Sequence, residues 1–438
     1  MCSPCLRTFA TTTHFNPPML MVSAARRRLP SPVGLPLAGF LRRAQSGLPC
    51  QAEDGTLEIN AVAFQDGNQA ALLIAIDTLI AGPDLTTAAA ALARDSFGDG
   101  AVALVAASHT HFAPATDPTR PMLGELTAAY AEGVHTALQQ VVEELRAAGT
   151  GAMLGLASRV ANGNVHRRRR WLLPTLLWWV HSRIDPIIMA PNRKGPRDPR
   201  VRVAVLQAPG GAPIAIVWNY ACHPVFYPRE RAATAEFVGY VRSAVRTHFR
   251  DPDLPVIFLQ GFAGDVCPDI RPDRSLRTLG ETLVLGPRWG RFTPESWTAW
   301  ADGIAQAVLA AIEAAPVNPL EGWLHVGSCG IAVEELVDGK LPQRTLALDC
   351  LDIGNRWSMV ALSAEPSTAY AELLRLGPAW PVSCTGDVYG YLPTEAQRRA
   401  GGYEADGYFA ALGLQARLRP DGERRVVEAY RSAFGKRL

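Results

Sequence analysis

Two short apolar runs each lead into a segment that carries histidine, and this pairing constrains the chain more than any other feature. Residues 101–107 read AVALVAA and lead into Ser108-His109-Thr110-His111. Residues 214–218 read IAIVW and lead into Asn219-Tyr220-Ala221-Cys222-His223-Pro224. Apolar runs of this length, rich in β-branched residues, are read as buried β-strands. A histidine at the mouth of a rigid strand is held where a metal needs its ligands, and neutral imidazole is a common protein ligand for zinc. Three of the nine histidines occupy two such strand ends, which points to a metal-dependent hydrolase. His-x-His alone also suits ordinary loop histidines, so the remaining segments have to decide.

Further runs at 72–76, 201–206, 256–259 and 357–363 read as strands. Pro209-Gly210-Gly211 marks a hairpin between 201–206 and 214–218. Helical patterns fall at 83–95, 123–148, 236–250, Pro294–Ala314, 367–376 and Gly422–Phe434. In 123–148 the apolar residues recur at 126, 130, 134, 138, 141, 142 and 145, close to the helical period. The alternation of strands and helices predicts an α/β protein, a single mixed-sheet catalytic domain over residues 29–438 with flanking helices. Residues 1–28 lack periodicity and contain Pro17-Pro18, so they are expected to form a disordered leader.

Composition narrows the function. Apolar residues make up 48% and charged residues 19%, which describes a globular chain, and a net charge of +2 gives no footprint for nucleic acid. Eight scattered cysteines form neither a zinc-finger array nor a disulfide framework, and Cys2-x-x-Cys5 has no βαβ context. The N-terminus is a poor secretory signal, and no apolar run is long enough to span a bilayer. A cytoplasmic location is therefore expected. The segment 171–180, WLLPTLLWWV, follows four arginines at 167–170. Trp171, Trp178 and Trp179 beside that charge suit a peripheral membrane contact or a lid over an apolar pocket; a buried helix or subunit contact fits as well.

Candidate chemistry gathers where strands end, because loops there vary on a rigid scaffold. Four ends carry it: His109 with His111, His223, Asp265 and Glu365. A turn-rich segment, Gly390-Tyr391-Leu392-Pro393-Thr394, follows, and Gly402-Tyr403-Glu404 lies twelve residues beyond it. Three further pieces belong to the same ordered set: Val33-Gly34-Leu35-Pro36-Leu37-Ala38-Gly39, the strand ending at Asp77, and Gly264-Asp265-Val266 with Pro268. Over roughly residues 30–410 this order resembles the neutral (non-lysosomal) ceramidase family, zinc-dependent amidases that cleave an N-acyl bond.

The resemblance implies a Zn2+ ion held by His109, His223, Glu365 and Tyr391. It implies hydrolysis of a linear amide by a metal-activated water, with His111 and Tyr403 catalytic at the oxyanion, and Asp265 and Asp77 ordering loops. The substrate would be a small-molecule or lipid amide, of sphingolipid metabolism or otherwise. Three departures stand out. Phe112-Ala113-Pro114-Ala115 replaces the family's Ser-Gly-Pro-Gly, Cys267 replaces a serine, and no room remains for the C-terminal β-sandwich domain. Two other readings stay open. One is a hydrolase with Cys267 as nucleophile and His111 or His223 as base. The other is a catalytically silent lipid-binding protein using the tryptophan segment.

Overall fold

The computed structural model describes residues 18–67, 69–147, 149–171, 187–271 and 286–435. Strand alternation sorts side chains onto two faces, and here both faces are covered. In Glu58–Gln65, Ile59, Ala61 and Ala63 point towards the helices Gly82–Phe97 and Ala128–Ala147, while Val62 and Phe64 point the opposite way. In Arg200–Gln207, Val201, Val203 and Val205 lie under the Pro294–Ala314 helix, beside which Phe237–Phe249 packs; Ala204 and Leu206 face inward. The inward faces meet, so the layers run helix, sheet, sheet, helix.

The first sheet has the order Val102–Ala107, Ala70–Ile76, Glu58–Gln65, Met21–Arg28, Thr150–Gly151. The second has the order Val256–Gln260, Pro213–Tyr220, Arg200–Gln207, Met153–Val160, Val317–Pro319. In each, the first pair is parallel and the rest antiparallel. The sheets are mixed, as expected, but there are two of them stacked rather than one. A third, four-stranded sheet runs Leu324–Ala332, Thr345–Ile353, Trp357–Leu362, Trp380–Val382. The helix Gly422–Phe434 covers its first strand, while Trp357 meets Phe64 edge-on at 5.9 Å, joining this sheet to the inner layer.

The expected leader is corrected in part. Residues 1–17 lie outside the described residues, but Met21–Arg28 is a strand, paired with Glu58–Gln65 along all eight positions. Leu20 and Val22 are fully buried. The alanines and arginines of this strand carry little β signal of their own, and its pairing and burial supply what propensity does not. Two helices are also shorter than read: 123–148 becomes Ala128–Ala147, and 367–376 becomes Tyr370–Leu373. Among the described residues no helix is long and apolar enough to cross a membrane.

A buried ion cluster ties the first sheet to the helix Phe237–Phe249. Glu58 is 3% exposed and accepts 2.8 Å bonds from both Nη atoms of Arg246, while Asp77 accepts from Arg242 at 2.7 Å and from the Glu58 amide at 2.9 Å. Burial opposes charge on Glu58, but Arg242 and Arg246 outweigh it and lower its pKa to about 2. A depressed carboxyl pKa contributes stability that is complete above the ordinary value and lost as pH falls through the depressed one. That contribution is on the order of 3 kcal/mol and should vanish between about pH 4.5 and about pH 2. Urea midpoints across that range should fall steeply for the unsubstituted chain and less steeply for Glu58→Gln. Equal slopes would exclude Glu58 as the source.

Candidate metal centre

Three chain segments deliver the candidate ligands. His109 follows the edge strand Val102–Ala107, in a left-handed conformation (φ 65°) that histidine seldom adopts. His223 follows Pro213–Tyr220. Glu365 lies just past Trp357–Leu362 and pairs in register with Tyr391 in a two-residue parallel ladder. Gly264 closes the arrangement, since a Cβ there would stand 2.3 Å from the Glu365 carbonyl oxygen.

The predicted ligands His109, His223 and Glu365 come together in space, with one ligand atom from each within 4.8 Å of the others. His223 Nε2 lies 2.9 Å from Glu365 Oε2 and His109 Nε2 lies 3.2 Å from the same oxygen. Both imidazoles give their Nδ1–H to backbone carbonyls. His109 donates to Leu79 at 2.8 Å, and His223 to Ala263 at 2.7 Å and Val266 at 3.1 Å. Those bonds fix the tautomer of each neutral ring and aim both Nε2 atoms at Glu365.

Two lone pairs and a carboxylate, 2%, 1% and 8% exposed, repel one another unless a positive charge lies among them. His109 Nε2 has no partner with hydrogen-bond geometry. Burial works against the Glu365 charge, but His109 and then His223 outweigh it and hold its carboxyl well below the usual carboxylate range. Burial likewise opposes charge on His109, but Cys384 and Glu365 raise its pKa well above the usual imidazole value. Without a metal, a proton on His109 supplies the positive charge. Burial and Arg167 push His223 down to about 4, so it stays neutral. Ligands about 2.0–2.1 Å from a tetrahedral zinc ion stand about 3.3 Å apart, close to these separations. The group can therefore hold a metal ion.

The remaining predicted residues are near. The Tyr391 ring stacks on His223 at 6.4 Å and 22°. Tyr403 meets the Tyr391 ring at 5.6 Å. The His111 ring is 5.5 Å from His109, and both its nitrogens are buried without a partner. Gly39 makes room for it: a Cβ there would stand 2.5 Å from His111 Nδ1, and φ is +97°. Asp265 accepts from Ser367 Oγ, Thr368 N and Oγ1, and Gln397 Nε2, so it orders the loops behind Glu365. Asp77 belongs to the Glu58 cluster instead. Trp178, Trp179, Cys2 and Cys5 lie outside the described residues.

In the sequence Arg167 and Arg168 stand only beside the tryptophan segment and carry no site role, and the structure buries both, at 3% and 5% exposure. Glu404 takes Arg167 Nε on one oxygen and Arg168 Nη1 on the other, each at 2.6 Å. The Arg167 guanidinium also stands over the Tyr391 and Tyr403 rings, 5.1 and 6.0 Å from their centroids. The signal was the carboxylate next to a site tyrosine, in Tyr403-Glu404, which needs a buried cation. Cys267 is buried with Arg167 Nη1 3.8 Å from its sulfur, and among the described residues no histidine is its hydrogen-bond partner. Burial pushes the thiol up, against Arg167, which does not activate a nucleophile.

A pocket of about 70 Å³ lies over the group, lined among others by His109, His111, Glu365, Tyr391 and Tyr403. It shares Arg120, Leu123, Tyr389, Tyr408 and Leu412 with an apolar cavity of about 270 Å³. A larger cavity, about 740 Å³ by the Phe237–Phe249 helix, contains none of the predicted site residues.

Stacked mixed sheets between helices, with a third sheet beside them, are an architecture this chain shares with solved ceramidase structures. The neutral ceramidase of Pseudomonas aeruginosa superposes with a TM-score of 0.69 at 12% identity, over 97% of this chain and 75% of that one. A ceramidase complexed with C2 gives 0.71 at 11% identity, over 97% and 76%. No family model matches the sequence, and no curated protein matches it. The expected ceramidase-like fold is borne out.

Proposed function

We propose that this chain is a zinc-dependent hydrolase of a linear N-acyl amide. The observation that carries the reading is the convergence of His109 Nε2, His223 Nε2 and Glu365 Oε2, three buried potential ligand atoms within 4.8 Å of one another. Tyr391, in register with Glu365, is the fourth ligand of the set. Zinc bound there would polarise an amide carbonyl and lower the pKa of water towards about 7.

The chain's own groups fit the rest of the task. Burial, then His109 and His223, push the His111 pKa well below the usual value, so its ring is neutral and carries one proton and one lone pair. Such a ring can accept a proton from water and return it to the departing amine. Burial raises the Tyr403 pKa, keeping its hydroxyl protonated as a donor to the developing oxyanion. Arg167 adds a fixed positive charge beside both tyrosines. The adjoining apolar cavity suits an acyl chain, and the two structural neighbours are named as ceramidases.

Elemental analysis of protein purified without added metal tests the proposal, with about one zinc per chain expected. Chelation should abolish hydrolysis of N-acyl substrates, and zinc should restore it. Cys267→Ser should retain measurable activity. Loss of activity in that variant with zinc content and fold intact would transfer the reaction to a thiol mechanism.

A further inference from the structure

Glu236 is the most strained acidic residue in the described chain. It precedes the helix Phe237–Phe249 with φ 53° and ψ −135°, a conformation ordinarily left to glycine. A carboxylate at that point normally turns back to cap its own helix, and Glu236 makes no such bond. Its side chain, 1% exposed, crosses to another loop, where Oε2 accepts the Phe226 amide at 3.1 Å. Oε1 is buried without a partner.

Phe226 lies three residues past His223, and its carbonyl is held in turn by Trp297 Nε1 at 2.6 Å. Between them, the Pro224 carbonyl accepts the His111 amide at 3.1 Å. The segment leading to Glu236 is bound to the other histidine loop. Thr110 Oγ1 donates to the Thr234 carbonyl at 2.8 Å, the Thr234 amide donates to the Phe112 carbonyl at 2.8 Å, and the Glu236 amide donates to Thr234 Oγ1 at 3.0 Å. Arg43, which donates to the His111 carbonyl, is the cation facing Glu236.

We propose that Glu236 is a positioning residue for the metal centre: its strained backbone and its carboxyl–Phe226 bond lock the His223 loop to the loop carrying His109 and His111. The inference rests on the metal-site reading above. Backbone strain kept at one residue, with that residue's side chain spent on a neighbouring loop, is the pattern of a site held rigid at some cost to the fold. Burial pushes the Glu236 carboxyl well above the usual carboxylate range, and its one hydrogen bond, from the Phe226 amide, is one that a glutamine oxygen can accept equally.

Three variants test this by chelator competition for zinc and by the melting temperature of the metal-free protein. Glu236→Gly relieves the strain and removes the pin. Its melting temperature should equal or exceed that of the unsubstituted chain, while zinc affinity falls about 10–100-fold, the usual loss when a group supporting a metal ligand is removed. Glu236→Gln should bind zinc within about threefold of the unsubstituted chain, and Glu236→Ala should weaken binding as Gly does. The cobalt-substituted Gly protein should show an altered ligand-field spectrum. Unchanged zinc affinity in the Gly variant would overturn the inference and leave the metal site standing, as would a loss that Gln shares. Failure of the unsubstituted chain to bind zinc would overturn both.

Discussion

His109→Ala and His223→Ala are each expected to lower bound zinc to well below one per chain and to reduce amide hydrolysis to background. Each substitution removes one of three convergent acceptors and leaves the others facing each other across a buried space. With His223 gone, the Ala263 and Val266 carbonyls also lose their shared donor. Ligand removal should therefore exceed the 10–100-fold loss typical of a supporting group. The variants should remain folded, because the strands that end at these loops are packed independently of the rings. Metal analysis and circular dichroism on the same preparations check both points. Full zinc occupancy in both variants would remove the assignment altogether.

How much of this was legible in the chain depends on where each signal was stored. His109 and His223 were readable because uninterrupted apolar runs lead into their loops, and such runs are local. Tyr391 was not readable alone, since a tyrosine in a turn is usually packing; the order of the motifs singled it out, and the ladder with Glu365 explains its placement. The stacking of two sheets was not legible. A residue such as Phe64, buried against a second sheet, looks the same in sequence as Ile59, buried against helices. Met21–Arg28 was hidden because its partners begin thirty residues away, at Glu58–Gln65, and its own alanines and arginines have weak strand preference. The site role of Arg167 and Arg168 was hidden for a related reason: the carboxylate that neutralises them, Glu404, lies 237 and 236 residues further on.

That buried triad gives the second large effect. Arg167→Met is expected to lower kcat on the order of 10²–10³-fold, the usual consequence of deleting a group that stabilises an oxyanion site, while leaving zinc content near that of the unsubstituted chain. Methionine fills much of the space, and Glu404 keeps its 2.6 Å bond to Arg168, so no charge is stranded and the fold should survive. What is lost is the cation over Tyr391 and Tyr403 and the only guanidinium with a buried, unpartnered Nη2 in this cluster. Glu404→Gln should behave differently. It leaves Arg167 and Arg168 side by side in the interior without a counter-ion, and breaking such a pair from one side typically costs about 3–5 kcal/mol. Its melting temperature should therefore fall steeply, whereas that of Arg167→Met should move far less. Arg168 is further anchored by the Gly401 and Gln397 carbonyls at 2.5 and 3.1 Å, so the strain of the Gln variant should fall on Arg167. If Arg167→Met retained full kcat, the cation would be structural, and the oxyanion would rest on the tyrosines and the metal alone.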